Sequence, residues 1–272
     1  MLARPFAGTS NIGAPVTHLR EQVRKHAFGT AHAGVAVFFR HVFLIFIEYA
    51  DLTSRRDVRF LREGIDSRNG YSGACGVKAT ELCVVRHGRT DWNDQRRAQG
   101  RADIPLNARG REQARRCAAH LALAGPWDAV VCSPLSRACE TADIIARATG
   151  VSAISVLDAL VERDCGMRGG WTPEEALARG ISDQPEDAES DEAIRTRARA
   201  ALVAVADAYV GRRVLVVSHG GWIRAALEAL LGVADARAKS VLDNTGLCRL
   251  SHRAGVWEVH SVNERSHLDH AD

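Results

Sequence analysis

The chain has 272 residues, and its 36 basic and 33 acidic side chains give a formal net charge of +3. Residues 1–76 carry 10 Lys and Arg against 6 Asp and Glu, whereas residues 77–272 carry 26 against 27. The second part is close to neutral, which argues against a nucleic-acid surface, since such a surface needs clustered basic residues. Seven cysteines without a CxxC pair indicate neither a disulfide framework nor a zinc site, and they favour the reducing cytoplasm.

Residues 1–76 are predicted to form an N-terminal extension that differs in composition from the domain after it. All seven phenylalanines lie in the first 60 residues, and all five tryptophans lie at or after position 92. The apolar stretch 33–50 is the segment that could contact a membrane. Arg40, His41 and Glu48 interrupt it, whereas a spanning helix needs about 20 predominantly apolar residues. We therefore expect a poorly ordered or amphipathic extension and do not favour a membrane anchor.

Residues 77–272 alternate between strand and helix patterns, which predicts a layered α/β domain. The predicted elements, in chain order, are strand Glu81–Val85, helix Asn107–Ala124, strand Ala129–Cys132, helix Pro134–Thr149 with Ser133 as N-cap, strand Ser152–Leu157, a short helix after the capping box that begins at Thr172, helix Glu189–Val210, strand Val214–Val217, helix Trp222–Leu231, and the edge strands Gly246–Leu250 and Val256–Val262.

Three of the short apolar runs lead into residues that can bind an anion. CVVRHGRTDWN contains Arg86 and His87, AVVCSPLSR ends at Arg137, and VLVVSHGG contains His219. Ligands of open α/β sheets bind outside the carboxyl ends of the strands, so we expect these four side chains to converge. A phosphoryl group suits them best, because the planar fork of an arginine matches its oxygens.

A neutral imidazole can act as the nucleophile for such a group and split one displacement into two easier steps. The leaving oxygen then needs an acid, and the attacking water later needs a base; one carboxyl can serve both roles. Glu162, in LVERDCGMRGGWT, is the candidate, and Gly88 leaves room for close backbone approach. His87, Glu162 and His219 also have the residue types of metal ligands, but neighbouring arginines would repel a divalent cation, so no metal site is predicted.

The second part of the chain resembles the histidine phosphatase superfamily, in its phosphoglycerate-mutase-like branch. The resemblance runs from about Thr80 to Asn263 and is carried, in order, by CVVRHGRTDWN, QGRADIPLNARGREQA, SPLSRACETA, LVERDCG, AESDEAIRTRARAAL, VLVVSHGGWIR and LDNTG. It implies a three-layer α/β/α sandwich with a mostly parallel central sheet and helices on both faces. Residues 77–272 would be the catalytic domain.

The resemblance also implies roles for individual residues. His87 would be the nucleophile that forms a phosphohistidine, and Glu162 would be the proton donor. A small phosphorylated molecule would be the substrate, and no metal or organic cofactor is implied. The other implied site residues, which would bind or surround the phosphoryl group, are Arg86, Gly88, Asn93, Arg137, His219 and Gly220.

Three departures from the family pattern leave the substrate open. Arg89 stands where Glu or Gln is usual, and Arg168 opens an Arg-Gly-Gly where Trp-Glu-Gly is common. The stretch from Trp171 to Glu189 is short for a phosphatase of the family, which predicts a reduced lid. Arg89 and Arg168 either meet a second negative group of the substrate or are exposed, solvated arginines.

Several alternatives remain at this level. Arg137 could form an ion pair in the first turn of a helix, Asn93 could cap a turn, and Glu162 could be a solvated loop acid. The favoured activity is phosphomonoester hydrolysis; the alternatives are a phosphoglycerate mutase, which must exclude water from its pocket, and a non-catalytic module that binds phosphorylated ligands. Nothing in the sequence indicates the oligomeric state.

Overall fold

The computed structural model describes residues 78–268, so the expected extension 1–76 and its apolar stretch 33–50 lie outside the described residues. The described strands are β1 (Thr80–Arg86), β2 (Ala129–Cys132), β3 (Ile154–Val156), β4 (Arg213–Ser218), β5 (Leu247–Arg253) and β6 (Val256–Glu264). They form one sheet in the spatial order β3-β2-β4-β1-β5-β6. The strands β3, β2, β4 and β1 are parallel to one another. The hairpin of β5 and β6 pairs with β1 in the antiparallel direction.

The same part of the chain contains six α-helices and three 3-10 turns. The helices are α1 (Asp91–Asp94), α2 (Ala108–Leu123), α3 (Ser136–Thr149), α4 (Pro173–Ala178), α5 (Asp191–Ala208) and α6 (Gly220–Leu231). The 3-10 turns are Asp158–Leu160, Gly166–Arg168 and Ser266–Leu268. None of the helices in the described part is both long and apolar enough to cross a membrane.

The sheet has a hydrophobic core on each of its two faces. Successive side chains of a strand point to opposite faces, and β1 follows this rule. Leu82 and Val84 pack with α5 and α6, whereas Cys83 and Val85 pack with α2 and α3. The protein is therefore a three-layer α/β/α sandwich with a mostly parallel sheet, as expected.

Most predicted elements are confirmed, with shifts at their ends. The strand Ala129–Cys132 has the predicted bounds, whereas the third strand contracts from Ser152–Leu157 to β3. The capping box is also confirmed, because Thr172 Oγ1 accepts from Glu175 N and Thr172 N donates to Glu175 Oε2, both at 3.1 Å. Local signals of this kind are readable from sequence, since cap and partner lie three residues apart.

The predicted N-cap Ser133 is wrong. The helix α3 begins two residues later, with Leu135 in the cap position and without a side-chain cap bond. The first helical amide, Ser136 N, instead donates to Asp103 Oδ1 at 2.7 Å, so a carboxylate from a distant loop replaces the local cap. Ser133 Oγ accepts only a long hydrogen bond from Leu135 N (3.4 Å), and its closer partner lies in the candidate site.

The prediction of two edge strands is half wrong. β6 is an edge of the sheet, but β5 pairs with β1 on one side and with β6 on the other. The hairpin docks its first strand against β1, which buries Leu247, Cys248 and Leu250. The outer position on the opposite side of the sheet belongs to β3.

Candidate active site

The candidate site lies where three neighbouring strands end. β1 is followed by His87, β4 by His219 and β2 by Ser133. Backbone hydrogen bonds extend the sheet register by one residue, because His87 N donates to Ser218 O (2.9 Å) and Ser133 N donates to Val217 O (3.0 Å). These bonds bring the two imidazoles together, with their ring centroids 5.1 Å apart.

His87 is held in one tautomer by its own loop. The side chain is 3% exposed, and its Nδ1 lies 2.7 Å from the carbonyl oxygen of Gly88. A carbonyl oxygen only accepts, so Nδ1 carries the proton and Nε2 carries the lone pair. Burial, and then the charges of Arg86 and Arg137, lower the pKa of His87 well below 6.5. The neutral ring therefore presents Nε2 as a nucleophile at neutral pH.

His219 is held in the opposite tautomer. Arg137 Nε donates to His219 Nδ1 (3.3 Å), and His219 Nε2 lies 2.7 Å from Ser133 Oγ. A guanidinium only donates, so Nδ1 accepts and Nε2 carries the proton. Burial, followed by the neighbouring His87 and the arginines, lowers the pKa of His219 well below 6.5. The residue is a neutral hydrogen-bond donor beside the nucleophile.

Arg137 is completely buried at the start of α3. Besides His219, its guanidinium donates to the carbonyl oxygens of Ala102 (2.7 Å, from Nη1) and Gly100 (2.9 Å, from Nη2). All its bonding partners in the described part of the chain are thus neutral, and the alternative of a first-turn ion pair is wrong. Each Nη has a second N–H, so the guanidinium keeps donors for an anion.

Arg86 presents a free edge of its guanidinium. Its Nη1 donates to Leu242 O, while the buried Nε has no hydrogen-bond partner within residues 78–268. Nε and Nη2 form the side of the fork that binds two phosphoryl oxygens at once. Gly220 makes room for this group, since a Cβ there would lie 3.3 Å from Arg86 Nε.

Gly88 makes room for a helix rather than for a ligand. A Cβ at this position would lie 2.4 Å from the carbonyl oxygen of Gly110, in the first turn of α2. The amide of Gly88 donates to Thr141 Oγ1 (3.1 Å), and its carbonyl accepts from His87. The close backbone approach predicted here is therefore made by Gly110, and it fixes the loop that orients His87.

Asn93 caps a turn and still has a free amide group. Its Oδ1 accepts from Thr90 N (3.1 Å), Thr90 Oγ1 (3.1 Å) and Asn244 Nδ2 (3.3 Å), which makes it the third residue of a capping box on α1. These donors assign the amide orientation, so Nδ2 points away from them. No residue in the described ranges accepts from that Nδ2. The capping interpretation is correct. The capping bonds involve Oδ1, so the two N–H donors of Nδ2 remain available for a phosphoryl group.

Glu162 lies against the first turn of α6. Its carboxylate accepts from the amides of Gly221 (3.0 Å), Trp222 (2.8 Å) and Arg163 (2.8 Å). A helix N-terminus favours negative charge, which explains this placement. The alternative of a solvated loop acid is wrong. Since α6 begins directly after His219, the carboxyl is tied to the strand end that carries the second imidazole.

The two arginines that depart from the family pattern have different environments. Arg89 is partly exposed and forms an ion pair with Asp94 (2.6 Å). Arg168 is buried, at 9% exposure, and its Nη1 donates to the carbonyl oxygen of Trp171 (2.6 Å). The interpretation of Arg168 as a solvated arginine is therefore wrong, and its bond instead braces the loop after Glu162.

Two residues of the site carried no predicted role. Ser133, taken for a helix cap, holds His219 through its hydroxyl. Asn244, in the LDNTG segment, donates to the carbonyl oxygen of His87 (3.0 Å) as well as to Asn93. Both lie in quoted segments of the family pattern, but neither has a neighbour in sequence that indicates these bonds.

Comparisons with known proteins agree with this geometry. Residues 82–265 match the family model of the histidine phosphatase superfamily, branch 1. The uncharacterized phosphatase PhoE of Bacillus subtilis is 36% identical over 189 residues, which are 70% of this chain and 97% of that protein. Phosphoglycerate mutase-like protein 4 of Arabidopsis thaliana is 34% identical over 205 residues, covering 71% of this chain and 89% of that protein.

A solved structure leads to the same family. A mutant of the Entamoeba histolytica phosphoserine phosphatase in complex with phosphoserine superposes with a TM-score of 0.61 and 28% identity. The alignment covers 70% of this chain and 99% of that one. The chain belongs to branch 1 of the histidine phosphatase superfamily, whose characteristic mechanism forms a phosphohistidine.

Proposed function

We propose that this histidine phosphatase hydrolyses phosphomonoesters with His87 as its nucleophile. The observation that carries the assignment is the contact between His87 Nδ1 and the Gly88 carbonyl, which leaves the lone pair on Nε2. In the first step, Nε2 forms a bond to phosphorus while the bond from phosphorus to the leaving oxygen breaks. In the second step, water attacks phosphorus, the N–P bond breaks and inorganic phosphate leaves.

Four side chains are proposed to bind the transferred phosphoryl group. Arg86 offers its Nε and Nη2 edge, Asn93 its Nδ2, and Arg137 the second N–H of each Nη. His219 would turn its Nε2–H from Ser133 Oγ to a phosphoryl oxygen. Charge on the equatorial oxygens grows in the transition state, and the donors of Arg86, Asn93 and Arg137, which are already in place, stabilise it.

Glu162 is proposed to move the protons. In its protonated form the carboxyl gives its proton to the leaving alkoxide, and the resulting carboxylate then takes a proton from the attacking water. The bonds from Gly221 and Trp222 keep the group in place through both steps. The half-buried Arg86 and the buried Arg137 lie within its electrostatic reach, so the carboxyl, the guanidiniums and the phosphoryl group would act together.

Hydrolysis is favoured over mutase chemistry. A mutase must keep water away from its phosphohistidine until the group is returned. The short stretch between Trp171 and Glu189 supports a reduced lid, and PhoE and the phosphoserine phosphatase carry phosphatase names. Small phosphorylated molecules are the proposed substrates; phosphoserine is the ligand of the Entamoeba protein.

The organisation of the chain is also a proposal. We assign residues 77–272 to the catalytic domain, which the family match over residues 82–265 supports, and residues 1–76 to a separate extension. The cytoplasm is the proposed location, supported by cysteines that form no disulfide within residues 78–268.

Hydrolysis of p-nitrophenyl phosphate by the full chain tests the proposed function. Wild type is expected to release p-nitrophenolate at an unchanged rate in the presence of a chelator. The variant His87→Ala is expected to lose this activity, while His260→Ala, at an exposed histidine of β6, serves as the matched control. Activity that survives His87→Ala would contradict the assignment.

A further inference from the structure

A cavity of about 460 Å³ borders the phosphoryl-binding residues. Arg86, Asn93 and Asn244 line it on the side of the reaction centre. One face of α2 and the segment 241–243 form the other side. Its volume is within the range of about 300–1,000 Å³ that is usual for small-molecule sites. The cavity therefore has room for a part of the substrate beyond the phosphoryl group.

The cavity wall on α2 is a single helix face. This face begins at Arg109 and continues three, four and seven residues later with Glu112, Gln113 and Arg116. Residues at these spacings are neighbours on one side of a helix. With Arg86 and Arg89, the cavity has four arginines among its lining residues.

Both acids of the lining already have basic partners. The carboxylate of Glu112 accepts hydrogen bonds from Arg115 (2.5 Å) and Arg116 (3.1 Å). The carboxylate of Asp243 accepts hydrogen bonds from Asn263 Nδ2 (3.0 Å) and Arg265 (3.4 Å). They therefore do little to neutralise the remaining arginines, and the cavity keeps a positive potential.

Several donors in the cavity are unpaired. Arg109 forms neither a hydrogen bond nor an ion pair with any described residue. Gln113 Oε1 accepts from Arg89 N (3.1 Å), which turns its Nε2 donors away from that amide. Arg89 Nε lies 2.6 Å from Asp94, which offsets much of the charge of Arg89, while its Nη groups donate to no described residue. Arg109 and Gln113 thus offer N–H groups without local acceptors, the arrangement that binds an oxyanion.

We infer that this cavity binds a second oxyanion of the substrate, a phosphate or a carboxylate, with Arg109 and Gln113 as its specificity-determining residues. The inference rests on the proposed function, because the first phosphoryl group must sit at Arg86 and His87. The substrate class is then a phosphomonoester that carries another anionic group on the same molecule. Binding energy from this remote group would raise kcat/KM for such substrates.

A substrate series tests the inference. Straight-chain diols of two to six carbons are supplied either as bisphosphates or as the matching monophosphates, and kcat/KM is measured for wild type, Arg109→Gln and Arg147→Gln. Arg147 is the matched control because it is an exposed helical arginine, on α3, that forms an ion pair with Asp143. Charge-assisted contacts to the second phosphate are expected to favour at least one bisphosphate by about 10-fold in wild type.

The variants decide the location of the second anion. Arg109→Gln is expected to remove most of that advantage and to leave p-nitrophenyl phosphate hydrolysis unchanged, whereas Arg147→Gln keeps both. Equal kcat/KM for mono- and bisphosphates at every chain length would overturn the inference, and so would an advantage that Arg109→Gln retains. Sulfate could also change the rate of p-nitrophenyl phosphate hydrolysis in wild type but not in Arg109→Gln. That result would mean that the cavity binds a free anion and not a group of the substrate, and it would overturn the inference. If His87→Ala hydrolyses p-nitrophenyl phosphate normally, the proposed function itself has failed.

Discussion

Arg137 Nε donates to Nδ1 of His219 across 3.3 Å, and this bond decides which nitrogen of His219 carries the proton. With Nδ1 as acceptor, Nε2–H is the group that faces Ser133 and, in the proposed mechanism, the phosphoryl oxygen. The buried arginine therefore sets the tautomer of its neighbour, besides its proposed role in binding the phosphoryl group. His87 is set in the other tautomer by a backbone carbonyl.

Replacing Arg137 is expected to damage catalysis more than folding. Arg137→Lys retains a positive charge but loses the planar fork that reaches His219, Ala102 and Gly100 at once. Loss of a preorganised donor typically costs about 100-fold or more in kcat, and we expect a loss of this size. Steady-state hydrolysis of p-nitrophenyl phosphate measures it. Arg147→Lys, on the exposed side of the same helix, should behave as wild type, and an Arg137→Lys rate within about 3-fold of wild type would refute the role.

Glu162→Gln is expected to discriminate between leaving groups. An alkoxide needs a proton as it leaves, whereas p-nitrophenolate does not, so the phosphorylation step should slow by about 100-fold or more for an alkyl phosphate and far less for p-nitrophenyl phosphate. The pre-steady-state burst of p-nitrophenolate isolates this step from hydrolysis of the phosphoenzyme. Glu174→Gln, at an exposed acid paired with Arg96, is the control. Equal losses for both leaving groups would remove Glu162 from the role of acid.

Two neighbouring glycines are expected to give different kinetic defects. A Cβ at Gly220 would lie 3.3 Å from Arg86 Nε, whereas a Cβ at Gly221 would lie 2.6 Å from Glu162 Oε1. Gly220→Ala should therefore displace the phosphoryl-binding arginine and raise KM, and Gly221→Ala should displace the proton donor and lower kcat. Both sites are helical, and alanine suits a helix, so thermal unfolding midpoints should stay near wild type. Identical kinetics for the two variants would contradict this division.

Stability should fall as the pH drops below 6.5. Burial lowers the pKa values of His87 and His219 in the folded state, so between those values and 6.5 the unfolded chain binds more protons. The stabilisation is complete above 6.5 and is lost as the pH falls toward the folded pKa values. Between about pH 7.5 and 5.5 we expect each histidine to account for about 1 kcal/mol of lost unfolding free energy. Urea unfolding measures it, and His87→Asn should reduce the slope. A stability that rises on acidification would exclude neutral, buried histidines.

The lowered pKa of His87 also determines where activity is lost at acidic pH. His87 must be neutral to attack, and its lowered pKa keeps it neutral below pH 6.5. The acidic limb of kcat/KM is therefore expected below the ordinary pKa of histidine.

The sequence predicts the fold and the centre of the site because their signals are local. Apolar runs that end at His87 and His219 indicate strands, and strands joined through helices place those ends at one edge. Thr172 and its helix cap could be read in the same way. Ser133 could not, because its partner His219 lies 86 residues away and the local context looks like a helix cap. The position of β5 inside the sheet likewise depends on docking against β1, which strand patterns alone do not encode.

The cavity beside the site depends on distant contacts as well. The charge of Arg89 is visible in the sequence, but its pairing with Asp94 is not, nor is the absence of a partner for Arg109 within residues 78–268. Arg168 fits neither of the two alternatives that the sequence leaves open for it, since it is buried and bonds the Trp171 carbonyl oxygen.

In the proposed mechanism, Nε2 of His87 carries the phosphoryl group between the two steps. The most direct test is to mix the enzyme with a radiolabelled phosphomonoester, quench it under alkaline conditions that preserve phosphohistidine, and map the label by peptide mass spectrometry and phosphorus NMR. We expect label on Nε2 of His87 in wild type and none in His87→Ala. Label on Nδ1, on another residue, or persisting in His87→Ala would contradict this mechanism.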